Sequence, residues 1–167
     1  GPERTLLLKN PHNTARIKVL KEMFPNAKFI FIHRNPFEVY QSTEHLYHKT
    51  IKSQFLQNFS DEEISECVIS CYELMMQQYL ELKHLIPKEQ LTEISFNELS
   101  NKPLSSLERI YQELQIDGFE KIKPIFESYI HDQKNYRKNK FIELPQDLKS
   151  KLKDRWGFAF KAWNYPH

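Results

Sequence analysis

Glycine is scarce. The 167 residues contain three, Gly1, Gly118 and Gly157. A phosphate-cradling loop of the GxGxxG or GxxxxGKS/T type needs glycines clustered within a few residues, so none can be built from this chain. Any phosphate it binds must be held by side chains or by plain helix N-termini. Gly1-Pro2 reads as a protease-cleavage remnant left from expression, so residues 3–167 carry the sequence to be interpreted. Cysteine is equally sparse: Cys67 and Cys71 stand four apart in a strongly helical stretch, where they share a face but suit no unstrained disulfide. They are expected to be reduced and to pack as small apolar core residues. No CxxC or HxxxH-type cluster supplies a metal ligand set, so no metal is expected. No apolar run approaches the ~20 residues of a membrane span, and no signal peptide precedes residue 3. A soluble, cytoplasmic chain is the expectation, although a targeting segment upstream of Glu3 would have been lost. Charge of one sign is also missing, with 24 Lys plus Arg against 22 Asp plus Glu for a net +2. That balance argues against nucleic acid as the main partner.

What is present is 40% hydrophobic, 28% charged and 13% aromatic residues, the mix of one globular domain with a sizeable core. Residues 5–9 (TLLLK) form a short apolar run read as a first strand, ended by Asn10-Pro11. Asn13 or Thr14 can cap a following helix with Ile17, Leu20 and Phe24 at helical spacing. Residues 28–33 (KFIFIH) are apolar on both faces, as a central parallel strand covered by helices should be. Pro36 then suits the first turn of a helix running toward about residue 55. Ser60 and three acidic residues open a long amphipathic helix to about residue 86, with Ile64, Cys67, Val68, Cys71, Leu74, Met75, Tyr79 and Leu82 as its apolar stripe. Residues 91–96 read as a third strand. Helices follow over about 103–115, 119–132 and 145–160, the last leading into an aromatic tail with Trp163 and Tyr165. Strand, helix, strand, helix in this order is a βαβ unit: an α/β fold with a short parallel sheet covered by helices and a helix-rich C-terminal half.

Ligands of open parallel sheets lie outside the carboxyl ends of the strands. Those ends hold Lys9, then His33 and Arg34, then Ser95 and Phe96. Arg34 and Ser42 are eight residues apart. With the helix starting at Pro36, Ser42 lies about 9 Å along it at 1.5 Å per residue. An anion beside that helix can be gripped by the arginine from the strand end and by the hydroxyl from the helix face.

The segment FPNAKFIFIHRNPFEVYQST resembles the 3′-phosphate-binding element of sulfotransferases that use 3′-phosphoadenosine 5′-phosphosulfate (PAPS), in which a strand leads into Arg, then Asn or Asp with Pro or Ala, and a Ser eight positions after the Arg. LLLKNPHNTARI is similar to the family's Lys at a strand end, and ISFNELSNKPLSSLERIYQEL to its aromatic helix start. Together these cover roughly residues 5–114. The resemblance implies a partial sulfotransferase domain of the P-loop-NTPase-like fold. Arg34 and Ser42 would bind the 3′-phosphate, and Phe96, where the family usually has Tyr, would lie against the adenine. Alternatively Phe96 is a strand-end core aromatic. Lys9 would stabilise charge on the leaving phosphate. His12 would be the general base for an acceptor hydroxyl, an imidazole being suited to neutral pH. The family's cytosolic branch has its His two residues after the Lys, whereas here the gap is three, and the alternative is a solvent-exposed histidine at a helix start. His45 and His48 are further candidates. Arg137 and Lys138, in YRKNK, resemble the late Arg-Lys element that also reaches the 3′-phosphate; a solvated charge run is the competing reading.

The family's other cofactor element, an N-terminal strand, phosphate loop and helix for the 5′-phosphosulfate, is what the glycine count excludes. The chain is therefore expected to be the 3′-phosphate-binding half of a sulfotransferase domain, truncated or completed by another polypeptide, inactive alone and prone to dimerise through an uncovered sheet. It would serve sulfuryl transfer from PAPS to a hydroxyl or amine of a small-molecule, glycan or protein acceptor, releasing 3′-phosphoadenosine 5′-phosphate (PAP). The alternative is a non-catalytic nucleotide-binding or protein-interaction module on the same fold.

Overall fold

The computed structural model describes residues 5–133 and 141–166. A 3₁₀ turn (Pro11–Ala15) leads into α1 (Ile17–Met23), β1 (Phe29–His33), α2 (Pro36–Lys49), α3 (Asp61–Leu82), β2 (Leu91–Ser95), α4 (Phe96–Asn101), α5 (Pro103–Glu113), α6 (Phe119–Asp132) and α7 (Gln146–Ala162). The class is α/β and mostly helical, with a short two-stranded parallel sheet.

Local chemistry explains the helix boundaries. The Asn35 side chain accepts from the Phe37 amide at 2.9 Å, and Pro36 follows with its φ already helical. Helix α2 stops at Lys49, short of residue 55, where the β-branched pair Thr50 and Ile51 weakens the helix and a 3₁₀ turn (Ile51–Gln54) takes over. At α3, Ser60 Oγ accepts from the Glu63 amide at 3.2 Å while the Ser60 amide donates to Glu63 Oε2 at 2.8 Å, a reciprocal cap. The helix tightens into a 3₁₀ turn after Leu82, because Pro87 bars Ile86 from helical geometry.

Strands β1 and β2 pair in parallel from Phe29 opposite Leu91 to His33 opposite Ser95. Phe29, Phe31, His33, Leu91 and Glu93 therefore share one face, and Ile30, Ile32, Thr92 and Ile94 the other. The first face is covered: the Phe31 ring stacks on Tyr79 of α3 at 3.8 Å between centroids, with the Trp163 ring at 5.4 Å. On the second face Ile94 packs on Ile110 and Leu114, and the Thr92 hydroxyl donates to Glu113. Ile30 and Ile32 stay 43% and 48% exposed.

Three expectations are corrected here. Strand β1 is covered on one face and not on both. Residues 5–9 form no strand: backbone groups need a pairing neighbour, and among the described residues only β1 and β2 pair, so Leu6, Leu7 and Leu8 project into solvent. Cys67 and Cys71 are free but exposed, not core. The buried stripe of α3 runs through Ile64, Val68, Ile69, Tyr72, Met76 and Tyr79, and Cys67 lies about 100° round the helix from Val68, on the flank. Leu74 is exposed on the same flank.

The main core lies between α2, α3 and α7. Trp156 is fully buried against Tyr72, with ring centroids 4.2 Å apart, and its indole donates to the Ile69 carbonyl at 3.1 Å. The buried Tyr40 hydroxyl donates to Glu44 at 2.7 Å and lies 2.7 Å from Ser65 Oγ, and burial pushes its phenol up to about 12. At the rim, Arg155 of α7 donates to Glu73 at 2.6 Å and Glu66 at 2.8 Å, both on α3. Hydrogen bonds from Lys151 and Arg155 hold the Glu66 carboxyl below its usual range.

Candidate functional site at the strand ends

Because His33 and Ser95 are in register, Arg34 and Phe96 leave the sheet side by side. Ser95 caps α4 by accepting from the Glu98 amide at 3.0 Å, so β2 turns directly into a helix and Phe96 is its first residue. The Arg34 guanidinium lies over the Phe96 ring, 4.6 Å from its centroid, and Arg34 Nε donates to Glu38 Oε2 at 2.6 Å. Glu38 stands in the first turn of α2 and Ser42 one turn further on the same helix face, with Arg34 just ahead of the cap, four residues before Glu38. Among the described residues, the two terminal amino groups of Arg34 have no hydrogen-bond partner. A planar guanidinium held by its Nε and one ring face keeps that end available for an anion.

The structure thus brings Arg34 and Phe96 together and sets Ser42 on the adjoining helix face. Lys9 is exposed in an irregular segment, not at a strand end. His12 is exposed in the 3₁₀ turn, its Nδ1 3.0 Å from Asn10 Oδ1. His45 sits edge-on to Phe141 with centroids 5.8 Å apart, and His48 Nδ1 is 3.8 Å from Asp61 Oδ1. Arg137 and Lys138 lie outside the described residues.

A second cluster abuts Arg34. The Tyr165 hydroxyl is 2.8 Å from His33 Nδ1, and the Trp163 ring stacks on the imidazole at 5.4 Å between centroids. The Trp163 indole donates to Glu93 at 3.3 Å, which also accepts from Tyr79 at 2.9 Å and from Lys83 at 3.0 Å. Burial pushes the Glu93 carboxyl up, but the hydrogen bonds from Lys83 and Tyr79 outweigh it and leave Glu93 below its ordinary value. Burial lowers the His33 imidazole despite the carboxylates of Glu93 and Glu98. Tyr165 is pushed up to about 12 by burial and then by the Glu38 carboxylate, with Arg34 pulling the other way. Sequence reasoning missed Glu38, Trp163 and Tyr165 as site residues. The four-residue step from Arg34 to Glu38 was a readable signal; Tyr165, 132 residues from His33, gave none.

An open cavity of about 440 Å³ lies elsewhere, between the last turn of α2 and the first turns of α3, lined by Tyr47, Phe55, Phe59, Ile64 and Cys67. Among the described residues no group of three or more His, Cys, Asp or Glu could hold a metal ion, and no helix is long and apolar enough to cross a membrane.

The model of the Sulfotransferase family matches residues 1–121, well over half of the chain. This chain belongs to the sulfotransferase family. It is also 32% identical over 162 residues to two curated proteins named Omega-hydroxy-beta-dihydromenaquinone-9 sulfotransferase Stf3, from Mycobacterium bovis and Mycobacterium tuberculosis. The alignment takes in 97% of this sulfotransferase chain and 42% of either relative, so the chain spans less than half their length. No solved structure matches the chain. The two-stranded parallel sheet with its helix-rich remainder agrees with part of a sulfotransferase fold.

Proposed function

We propose that this chain serves sulfuryl transfer from PAPS to an acceptor hydroxyl or amine, and that it contributes the side of the site that grips the 3′-phosphate. The observation that carries the reading is the Arg34 guanidinium, fixed at a strand end by Glu38 and the Phe96 ring with its terminal amino groups unpaired among the described residues. An anion there meets a charge-assisted, two-pronged donor, and the Ser42 hydroxyl on the same helix face adds a neutral one. PAPS supplies an activated sulfuryl group, whose sulfur–oxygen bond to phosphate breaks as the acceptor oxygen or nitrogen bonds to sulfur.

In this reading Lys9 offsets the negative charge that grows on the departing phosphate, and His12 takes the acceptor proton. Both are exposed, as groups meeting an incoming donor and acceptor must be. Arg137 and Lys138 would add charge at the 3′-phosphate. The 5′-phosphosulfate side would be held by residues outside these 167, and the chain alone would be inactive. A hydroxyl-bearing acceptor is favoured because both mycobacterial relatives are named for one.

Calorimetry with PAP tests the assignment. Arg34→Ala is expected to weaken binding more than Ser42→Ala, because a charged contact contributes about 1.5 to 3 kcal/mol and a neutral hydroxyl nearer 1. Equal affinities for wild type and Arg34→Ala would refute it.

A further inference from the structure

We propose that Glu38 is a positioning residue of the anion site, acting through Arg34; this rests on the reading of Arg34 as a 3′-phosphate ligand. An arginine side chain can offer an anion its Nε edge or the edge formed by its two terminal amino groups, and a free side chain samples both. Here the choice is made beforehand. Glu38 Oε2 takes the Nε hydrogen at 2.6 Å, and Phe96 lies under one face of the guanidinium with its centroid at 4.6 Å. The terminal edge is what remains.

The carboxylate is itself well fixed. Glu38 lies in the first turn of α2, behind the Asn35 cap and buried Pro36, where a helix N-terminus favours negative charge. The pair is partly sheltered, with Arg34 and Glu38 side chains 27% and 40% exposed. Ordering the guanidinium before the ligand arrives removes a cost that binding would otherwise carry.

The same contact has an opposite interpretation, in which Glu38 is a competing anion that the phosphate must displace from Arg34, and the two differ in sign. Glutamine at position 38 keeps an oxygen that can accept from Nε but carries no charge, whereas alanine removes both. Aspartate keeps the charge and falls one methylene short.

The experiment is calorimetry of the purified protein with PAP and with adenosine 5′-monophosphate, which lacks the 3′-phosphate, for wild type, Glu38→Gln, Glu38→Ala, Glu38→Asp and Arg34→Ala. If Glu38 positions Arg34, Glu38→Ala and Glu38→Asp weaken PAP roughly five- to tenfold, Glu38→Gln stays within about threefold of wild type, and the monophosphate is unaffected. Tighter PAP binding by both Glu38→Gln and Glu38→Ala would make Glu38 a competitor and overturn the proposal. So would unchanged PAP binding in Glu38→Ala alongside a clear loss in Arg34→Ala. If Arg34→Ala itself binds PAP like wild type, the underlying 3′-phosphate reading is what fails. Should Glu38→Ala not fold, the contrast between Glu38→Asp and Glu38→Gln carries the same decision.

Discussion

Trp156 on α7 has no exposed surface and reaches across to the Ile69 carbonyl of α3, whereas Leu7, ahead of the first 3₁₀ turn, is 85% exposed and belongs to no element. Both stretches are rich in large apolar side chains. The α2–α3–α7 bundle closes on itself, with aromatic rings in contact, hydrogen-bonded hydroxyls and an ion-pair rim; among the described residues nothing closes over Leu6, Leu7 and Leu8 of the early segment, which stay exposed. The difference teaches that apolar composition orders a chain only where a second surface meets it. The candidate site straddles this divide: Arg34, Phe96 and Ser42 are anchored to packed elements, Lys9 lies in the exposed early segment, and His12 is an exposed side chain on a 3₁₀ turn that packs against α3.

Substitution at the two extremes should separate them most widely. Trp156→Ala is expected to destabilise the fold by about 3 to 5 kcal/mol, as for other buried tryptophans, measured by urea denaturation followed by circular dichroism. At the boundary, Arg34→Ala is expected to weaken PAP binding roughly ten- to a hundredfold with little loss of stability, since the side chain is partly exposed and the helix cap is Asn35. A comparable loss of stability would mean that Arg34 belongs to the packed half instead.

A third comparison uses acid. The His33 imidazole is lowered from 6.5 by burial, so below about that pH the unfolded chain binds more protons at this position than the folded one. Stability therefore falls as pH drops from the unfolded value toward the lower folded value, and His33→Asn should flatten that part of the profile. A melting temperature unchanged between about pH 7 and 5 in the wild type would contradict the buried imidazole. The smallest effect belongs to Leu7→Ser, expected within about 0.5 kcal/mol of wild type by the same denaturation experiment.

Much of the scaffold was legible because boundary residues state it locally. Asn35 and Pro36 mark the start of α2, and Ser60 with Glu63 marks α3. The same code stands at Ser95, where Ser-Phe-Asn-Glu is again a serine three residues before a glutamate; it ends the strand at Ser95, one residue short of the expected Phe96, which instead opens α4. Residues 5–9 misled because strand character is a property of pairs. The cysteines misled because α3 carries apolar residues on more than one flank, and only the neighbours decide which flank is buried. At the site, Arg34 and Ser42 could be found by spacing along one segment, and Phe96 by motif. The nearness of Arg34 to Phe96 depended on strand register, and the tail residues on contacts that no local pattern announces.

The tail's attachment has a consequence in time. Tyr165 bonds to His33 across 132 positions, and synthesis proceeds at about 5 to 20 residues per second, so His33 exists for roughly 7 to 26 seconds before its hydroxyl partner is made. During that interval Glu93 also lacks the Trp163 indole, and the carboxyl end of the sheet is uncapped on the face that later holds its most buried titratable groups. The strand-end site thus acquires these contacts long after the β1 and α2 residues that define it have emerged.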